Sequence, residues 1–450
     1  MASSGTRSFL RQIDFFAVLL IALLAVLWFA GGSSRQDVLG QFVSRGAAWL
    51  ALIGYLLLGG TPKNGHVRGF ACLFFAVLGL TAIQLLSLPP ALWSALPGRE
   101  LFERAAEIAD EPQPWRPISL SPSGTLNALG SLIVPGVVLL LLASVPFHRK
   151  RLLPRVILVG IALSAVIGIG QFSGVRFDNP LANDTPGEVN GLFANRNHFA
   201  LFLAIGCALT PYALIERGKY GRLTLLVAGS VLLLLFLTIL AAGSRMGIAL
   251  GVIGIMLGLA SVHETIRKIF HGMSKRVARI GQAVAVIGFV GIVGTSIFLG
   301  RAESFSRFFD SGVGDSLRKD IWSTTAELTW RFFPVGSGAG TFDPVFRIAE
   351  PDGMLGPRYI NLAHNDLLQL LLEYGLAGLL LLLAAIGWWG LGSWQAWRGT
   401  NTLARAGSAI LLLVFLASIV DYPARTPLIM SLSVIAAYWL YRPHQRVTSD

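Results

Sequence analysis

The sequence is short of charge. Only 13% of its 450 residues are Asp, Glu, Lys or Arg, about half of the roughly 25% carried by soluble domains. With 54% hydrophobic residues and a mean hydropathy of +0.65, this excludes a soluble enzyme and a disordered chain. Cysteine is nearly absent. Cys72 and Cys207 both lie in apolar stretches, so neither a disulfide framework nor a thiolate zinc site can be built. There is no internal repeat and no low-complexity tract. Length alone suggests two or three soluble domains. The hydropathy replaces that with a single integral membrane domain, residues 1–450.

A spanning helix needs roughly 20 mostly apolar residues. Twelve runs qualify, at about 14–31, 46–60, 69–88, 129–146, 153–172, 198–214, 221–241, 246–262, 279–299, 366–388, 403–420 and 426–441. Arg7 and Arg11 precede the first as in a signal peptide, but its apolar run is long for one. With the N-terminus inside, the inner side collects 20 of the 36 basic residues and 4 of the 24 acidic ones. The positive-inside rule supports that orientation. It also accounts for the net charge of +12, which sits in membrane loops rather than on a nucleic-acid face. The basic clusters fit topology and contact with anionic membrane lipids.

The expected fold is therefore an all-α polytopic membrane protein with about twelve transmembrane helices and both termini cytoplasmic. Three outer segments break the pattern: Pro89 to Asn127, Ser173 to Asn197, and a large loop over 300–365. Trp93 and Trp115 in the first are expected at the membrane interface. Long loops without regular structure are uncommon unless functional. Within the third, Leu317, Ile321, Leu328 and Phe332 have helical spacing, which predicts an amphipathic helix over about 315–333. Pro334 ends it, and Gly336, Gly338 and Gly340 follow. A dinucleotide site would need a preceding strand and a following helix; a turn bringing backbone to a ligand is the expectation instead.

Four outer clusters contain groups suited to chemistry. They are Asn195-Arg196-Asn197-His198, the Gly243-Ser244-Arg245 turn, Arg318 to Trp322, and Ala363-His364-Asn365-Asp366. Taken singly, each has a plain explanation. Arg245 could snorkel to headgroups. Asn195 or Asn197 could cap one helix, and Asn365 or Asp366 another. Arg318 could lie on a solvated face. Glu373, seven residues past Asp366 and on the same face, could orient His364 or an arginine, or simply join two helices.

Their combination points further. Of seven histidines, only His198 and His364 face outward, each at a helix mouth beside an asparagine. Histidine moves protons near neutral pH, and arginine is the preferred partner of phosphate. Arginines and a histidine at one membrane face suit a lipid-linked phosphate or pyrophosphate. No D-x-D motif or carboxylate–histidine cluster with metal spacing occurs outside, so no metal and no other cofactor is implied.

These motifs, with Leu88-Pro89-Pro90, Ser119-Leu120-Ser121-Pro122, Glu373-Tyr374-Gly375-Leu376 and Asp421-Tyr422-Pro423 followed by Arg425, resemble the O-antigen ligase and polysaccharide polymerase family. The likeness is strongest over about 190–385. It implies a metal-independent, inverting glycosyltransferase of the GT-C type in the bacterial inner membrane. The donor would be a glycan on undecaprenyl pyrophosphate, and the acceptor a lipid A core or another lipid-linked glycan repeat. The resemblance assigns His364 as the base and Arg245 and Arg318 to the pyrophosphate, with Arg196 as a third candidate there. Arg196, Asn195 and Asn197 match a motif of less defined role. His198 departs from the polymerases, and Asn365, Glu373 and Arg425 fall in supporting positions. The rival class is a small-anion transporter of the bicarbonate type. Transporters place polar sites near the midplane of repeated halves, whereas these motifs gather at one face. A scaffold in a polysaccharide export complex has no docking tail to support it. Ligase and polymerase share the donor chemistry, so the motifs leave both open.

Overall fold

The computed structural model describes residues 15–60, 68–145, 152–183, 187–216, 222–271, 313–356 and 360–441. The described chain is helical. The helices of eight or more residues are α1 (Phe15–Ala30), α2 (Leu39–Leu57), α3 (Arg68–Ile83), α4 (Glu100–Ile108), α5 (Pro122–Ser131), α6 (Ile133–Ser144), α7 (Leu153–Phe172), α8 (Arg196–Thr210), α9 (Arg222–Ala242), α10 (Arg245–Ser261), α11 (His263–His271), α12 (Val313–Phe332), α13 (Phe342–Ala349), α14 (Asp366–Arg398), α15 (Thr402–Val420) and α16 (Pro427–Leu440). One two-residue antiparallel pair, Ser87–Leu88 with Arg116–Pro117, closes the base of the first long loop.

Among the described residues, six helical stretches, α5 with α6 counting as one, are long and apolar enough to cross a membrane. A seventh candidate is α10 with α11, bent by 66° at their junction, and α1, α3 and α16 are shorter apolar helices. The protein is thus an all-α membrane protein. Every expected span but the ninth coincides with a helix. The ninth, at 279–299, lies outside the described residues, as do residues 300–312 of the large loop and both chain ends. Boundaries shift in places: α2 begins at Leu39, and α14 runs on to Arg398.

Helix α8 is the centre of the bundle. In its most apolar stretch 94% of residues are buried, against 33% for α9. It packs on α7, α9, α10 and α15. The approach of α10 is close because α10 presents small residues to α8. A Cβ at Gly254 would stand 2.6 Å from the Ala204 carbonyl oxygen, and one at Gly258 2.8 Å from that of Ala208. Small-residue stripes of this kind let membrane helices pack backbone to backbone. The stripe fixes the first turn of α10 beside the first turn of α8.

At the far end of α10, Arg405 is almost fully buried. Its guanidinium donates to the carbonyls of Ser261, Ala396 and Gly399 at 3.1, 3.3 and 2.6 Å. One cation thus satisfies carbonyls at two helix C-termini.

The large loop folds onto the bundle. In α12, Ile321, Leu328 and Phe332 are buried as the spacing predicts, but Leu317 is exposed. The glycines after Pro334 bring backbone to the protein itself rather than to a ligand. Gly336, Gly338 and Gly340 all have positive φ. A Cβ at Gly336 would lie 2.7 Å from the Glu373 carbonyl oxygen, and one at Gly338 would overlap Ser119. The partner surface is a kink in α14 at Gly375, whose φ of 54° is not helical. There Ser337 and Gly338 donate backbone bonds to the carbonyls of Leu372 and Glu373. The Glu373-Tyr374-Gly375-Leu376 motif is therefore a docking point for the loop. The first long loop is tied in by Arg99, which donates to the carbonyls of Ile118 and Gly336 at 2.8 and 3.3 Å. Burial pushes its guanidinium pKa down to about 10. Trp93 is not an interface anchor. It is buried, bonds to the Pro117 carbonyl and stacks beneath Arg116, whereas Trp115 is exposed.

Candidate active site

The N-termini of α8, α10 and α14 meet the C-terminus of α15 at one end of the bundle, and their side chains converge on Asp421. This carboxylate is fully buried. Its Oδ2 accepts from Asn197 Nδ2 at 2.7 Å and Asn195 Nδ2 at 3.3 Å. Its Oδ1 accepts from the Tyr422 backbone N–H. That same oxygen faces both outward histidines, 3.4 Å from His364 Nδ1 and 3.7 Å from His198 Nε2. The Tyr422 ring meets the edges of both imidazoles, with centroids 4.8 Å away for His364 and 5.1 Å for His198. Burial alone would raise the Asp421 pKa, but the attraction of the two facing histidines outweighs it and holds the carboxyl well below its ordinary range.

The two asparagines divide their work. Asn195 is the N-cap of α8, its side chain accepting from the Asn197 backbone N–H at 2.8 Å. Asn197 is free of capping and bridges Asp421 to Ser244, whose hydroxyl donates to Asn197 Oδ1 at 2.8 Å. Ser244 in turn caps α10. This places Arg245, the first residue of α10, one residue from the Asn197–Asp421 chain.

His364 lies in a segment held from both sides. Trp322 of α12 donates to the Ala363 carbonyl at 3.1 Å, and the Ala363 N–H donates to Gln369 Oε1 at 3.0 Å. The Trp322 bond brings the helix carrying Arg318 against the histidine segment. Arg318 also acts electrostatically on Tyr422. His364 itself has a φ of 51°, a left-handed conformation that costs a non-glycine residue about 1–2 kcal/mol and concentrates at functional sites. Its side chain is 28% exposed, that of His198 only 1%. Only His364 can meet a ligand without rearrangement.

The remaining expected residues support this centre. Asn365 caps α14, its amide oxygen accepting from the Leu368 N–H at 3.0 Å, and Asp421 faces the His364 ring. Glu373 orients an arginine, not the histidine. Its Oε2 accepts from Arg425 at 3.3 Å and its Oε1 from Gln369 at 2.8 Å. Arg425 also donates to Asp366 at 3.1 Å. Arg196 stands apart, 3.6 Å from Glu188.

The sequence marks Asp421 as a lone acid closing an apolar run and as part of the Asp421-Tyr422-Pro423 motif, without giving its partners. Asp366 reads there only as a cap, and Gln369 as one polar residue inside an apolar helix. Among the described residues, no group of three His, Cys, Asp or Glu side chains has a metal-holding arrangement.

Residues 230–383 match the model of the O-antigen ligase family. The matched stretch contains Arg245, Arg318, His364 and Glu373, while Asn195 to His198, Asp421 and Arg425 lie outside it. No curated protein matches the chain.

Proposed function

We propose, for a multi-pass membrane protein carrying an O-antigen ligase family domain over residues 230–383, transfer of a glycan from undecaprenyl pyrophosphate to a hydroxyl acceptor. The family match supports a glycan-transferring enzyme in general. The observation that carries the specific reading is the partly exposed His364 facing the buried Asp421 carboxylate, with Arg245 and Arg318 on adjoining elements.

The chemistry follows from those positions. Asp421 at His364 Nδ1 favours the tautomer with its proton on Nδ1, which leaves Nε2 free as base. Nε2 takes the proton of the acceptor hydroxyl as its oxygen bonds to the anomeric carbon. The carbon–oxygen bond to pyrophosphate breaks, and the leaving group keeps the electron pair. Arg245 and Arg318 offset its charge through bidentate bonds. Attack opposite the leaving group inverts the anomeric centre, and no step calls for a metal. The acceptor is a lipid A core in a ligase or a second lipid-linked repeat in a polymerase.

The two arginines test the donor assignment. Arg→Lys at 245 or 318 keeps the charge but loses the planar fork. Each variant, at normal protein level, is expected to lose at least about tenfold in transfer rate, a change of roughly 1.4 kcal/mol. Near-normal transfer by Arg→Ala at either position would make that arginine a headgroup contact. Added chelator is expected to leave the rate unchanged.

The same reading places the protein in the bacterial inner membrane with twelve spans, both termini cytoplasmic and residues 300–365 periplasmic. Cytoplasm-active and periplasm-active reporters fused at Arg276 and at Asp352 should give opposite signals. Equal signals at the two positions would overturn the orientation.

A further inference from the structure

Two elements of the long loops turn apolar side chains outward. At the end of α12, Trp330 is 77% exposed and Phe333 is exposed beside it, their ring centroids 6.0 Å apart. In α4 the exposed residues Leu101, Arg104, Ala105 and Ile108 have the i, i+3, i+4, i+7 spacing of one helix face. Ile108 is 80% exposed. Glu100, Glu103 and Glu107 fall on a flank of that face, and Ala106 points the other way, into the protein. The two elements are joined. Arg331 reaches Glu100 at 3.8 Å, and a Cβ at Gly98, just before α4, would stand 2.5 Å from the Phe332 ring.

The kink in α14 sets the level at which this surface lies. The Leu376 N–H donates to the Pro334 carbonyl at 2.8 Å, so the end of α12 is joined to α14 at the kink, not at its first turn. From Leu376 to Arg398 the helix runs about 34 Å at 1.5 Å per residue. That length matches a hydrocarbon core of roughly 30 Å, which puts the kink at one boundary of the core. The end of α3 reports the same level, since Gln84, the residue after Ile83, donates to the Glu373 carbonyl at 3.0 Å.

On the core side of the kink, α14 exposes Leu376, Leu380 and Leu383, as a lipid-facing helix does. Trp330 and Phe333 continue that surface across the boundary, at the depth where tryptophan concentrates. The outward face of α4 fits the same position. Short amphipathic helices lie in the interface with their apolar side chains in the acyl region, and Arg104 can extend to the phosphate layer while its stem stays in apolar surroundings.

We propose that α4 and the end of α12 rest in the headgroup–acyl boundary of the membrane, with Trp330 as the anchor and the lipid surface as the partner. Trp330 takes the place that Trp93, turned inward, does not fill. Arg318 lies on the same helix, about 18 Å before Trp330 along its axis, so the anchor ties the helix carrying Arg318 to the bilayer. This surface is independent of the reaction that the site performs.

Spin labelling of the full chain in lipid nanodiscs tests it. Cys72, the exposed native cysteine, is replaced by alanine, and Cys207 is buried and stays. Single nitroxides are attached after Trp330→Cys, Ile108→Cys or Asp352→Cys, all at exposed positions where the fold does not depend on the side chain removed. Power saturation reads depth from two relaxants, oxygen, which partitions into lipid, and a nickel chelate, which stays in water. The ratio of oxygen to nickel accessibility at positions 330 and 108 should exceed that at 352 severalfold. A ratio at either position equal to that at 352 would overturn the proposal. Low access to both relaxants would mean that a second copy or another protein covers the surface, and would overturn it as well.

Discussion

His364→Ala is expected to abolish glycan transfer, whereas His198→Ala lowers it only modestly. A sugar hydroxyl is a poor nucleophile at neutral pH, and a positioned base contributes about 10²–10⁴-fold. Both histidines face the same carboxylate oxygen, so proximity to Asp421 does not separate them. Access does. His364 is 28% exposed and His198 1%, so an acceptor hydroxyl reaches the first ring and not the second. Donor binding should survive His364→Ala, because Arg245 and Arg318 remain. The measurement is transfer by reconstituted protein with purified lipid-linked donor, alongside donor binding for each variant. A dead His198 variant beside an active His364 variant would exchange their roles. Two active variants would remove proton transfer to histidine from the mechanism.

The sequence makes the helices and the four motif clusters legible, for a physical reason. Spanning helices demand long apolar runs, and polar groups breaking such runs at one face stand out against them. The same logic exposes Asn195 to His198, Arg245 and His364, because each opens a helix. What holds these groups together is less legible. Asp421 lies some 225 residues from Asn195 and Asn197, and no local spacing connects them. Trp322 and Gln369 grip the His364 segment through the backbone of Ala363, contacts that leave no trace in residue patterns. The glycines at 336, 338 and 340 advertise positive φ without saying what approaches them. The structure shows Ser119, Gly124 and the kink at Gly375. Asn365 illustrates the limit from the other side. Its place beside His364 suggests a role in orienting the ring, yet its amide oxygen caps α14.

Asp421→Asn is expected to lower transfer about 10²–10⁴-fold while leaving the fold intact. Asparagine has nearly the same shape, and its oxygen can still accept one of the amide bonds from Asn195 or Asn197. What it removes is the negative charge that favours the Nδ1–H tautomer of His364 and balances the imidazolium formed as the hydroxyl proton arrives. Loss of a carboxylate behind a catalytic histidine costs about 10⁴-fold in serine proteases, through the wrong tautomer. The longer 3.4 Å separation here argues for the lower part of the range, since hydrogen bonds weaken beyond about 3.2 Å. A readout beyond the rate separates orientation from scaffolding. Donor binding should stay normal in Asp421→Asn, because Arg245 and Arg318 remain, whereas a disordered site would weaken it. Stability supplies the second sign. The Asp421 carboxyl is held well below its ordinary range, so its ionised form stabilises the fold fully above the unfolded value of about 3.9. That contribution is lost only as pH falls through the lower folded value. Thermal unfolding of the wild type and of Asp421→Asn should therefore differ most near neutral pH and converge in strong acid. An Asp421→Asn variant with normal transfer would leave the carboxylate a structural anchor for Asn195 and Asn197, and His364 would act as base without it.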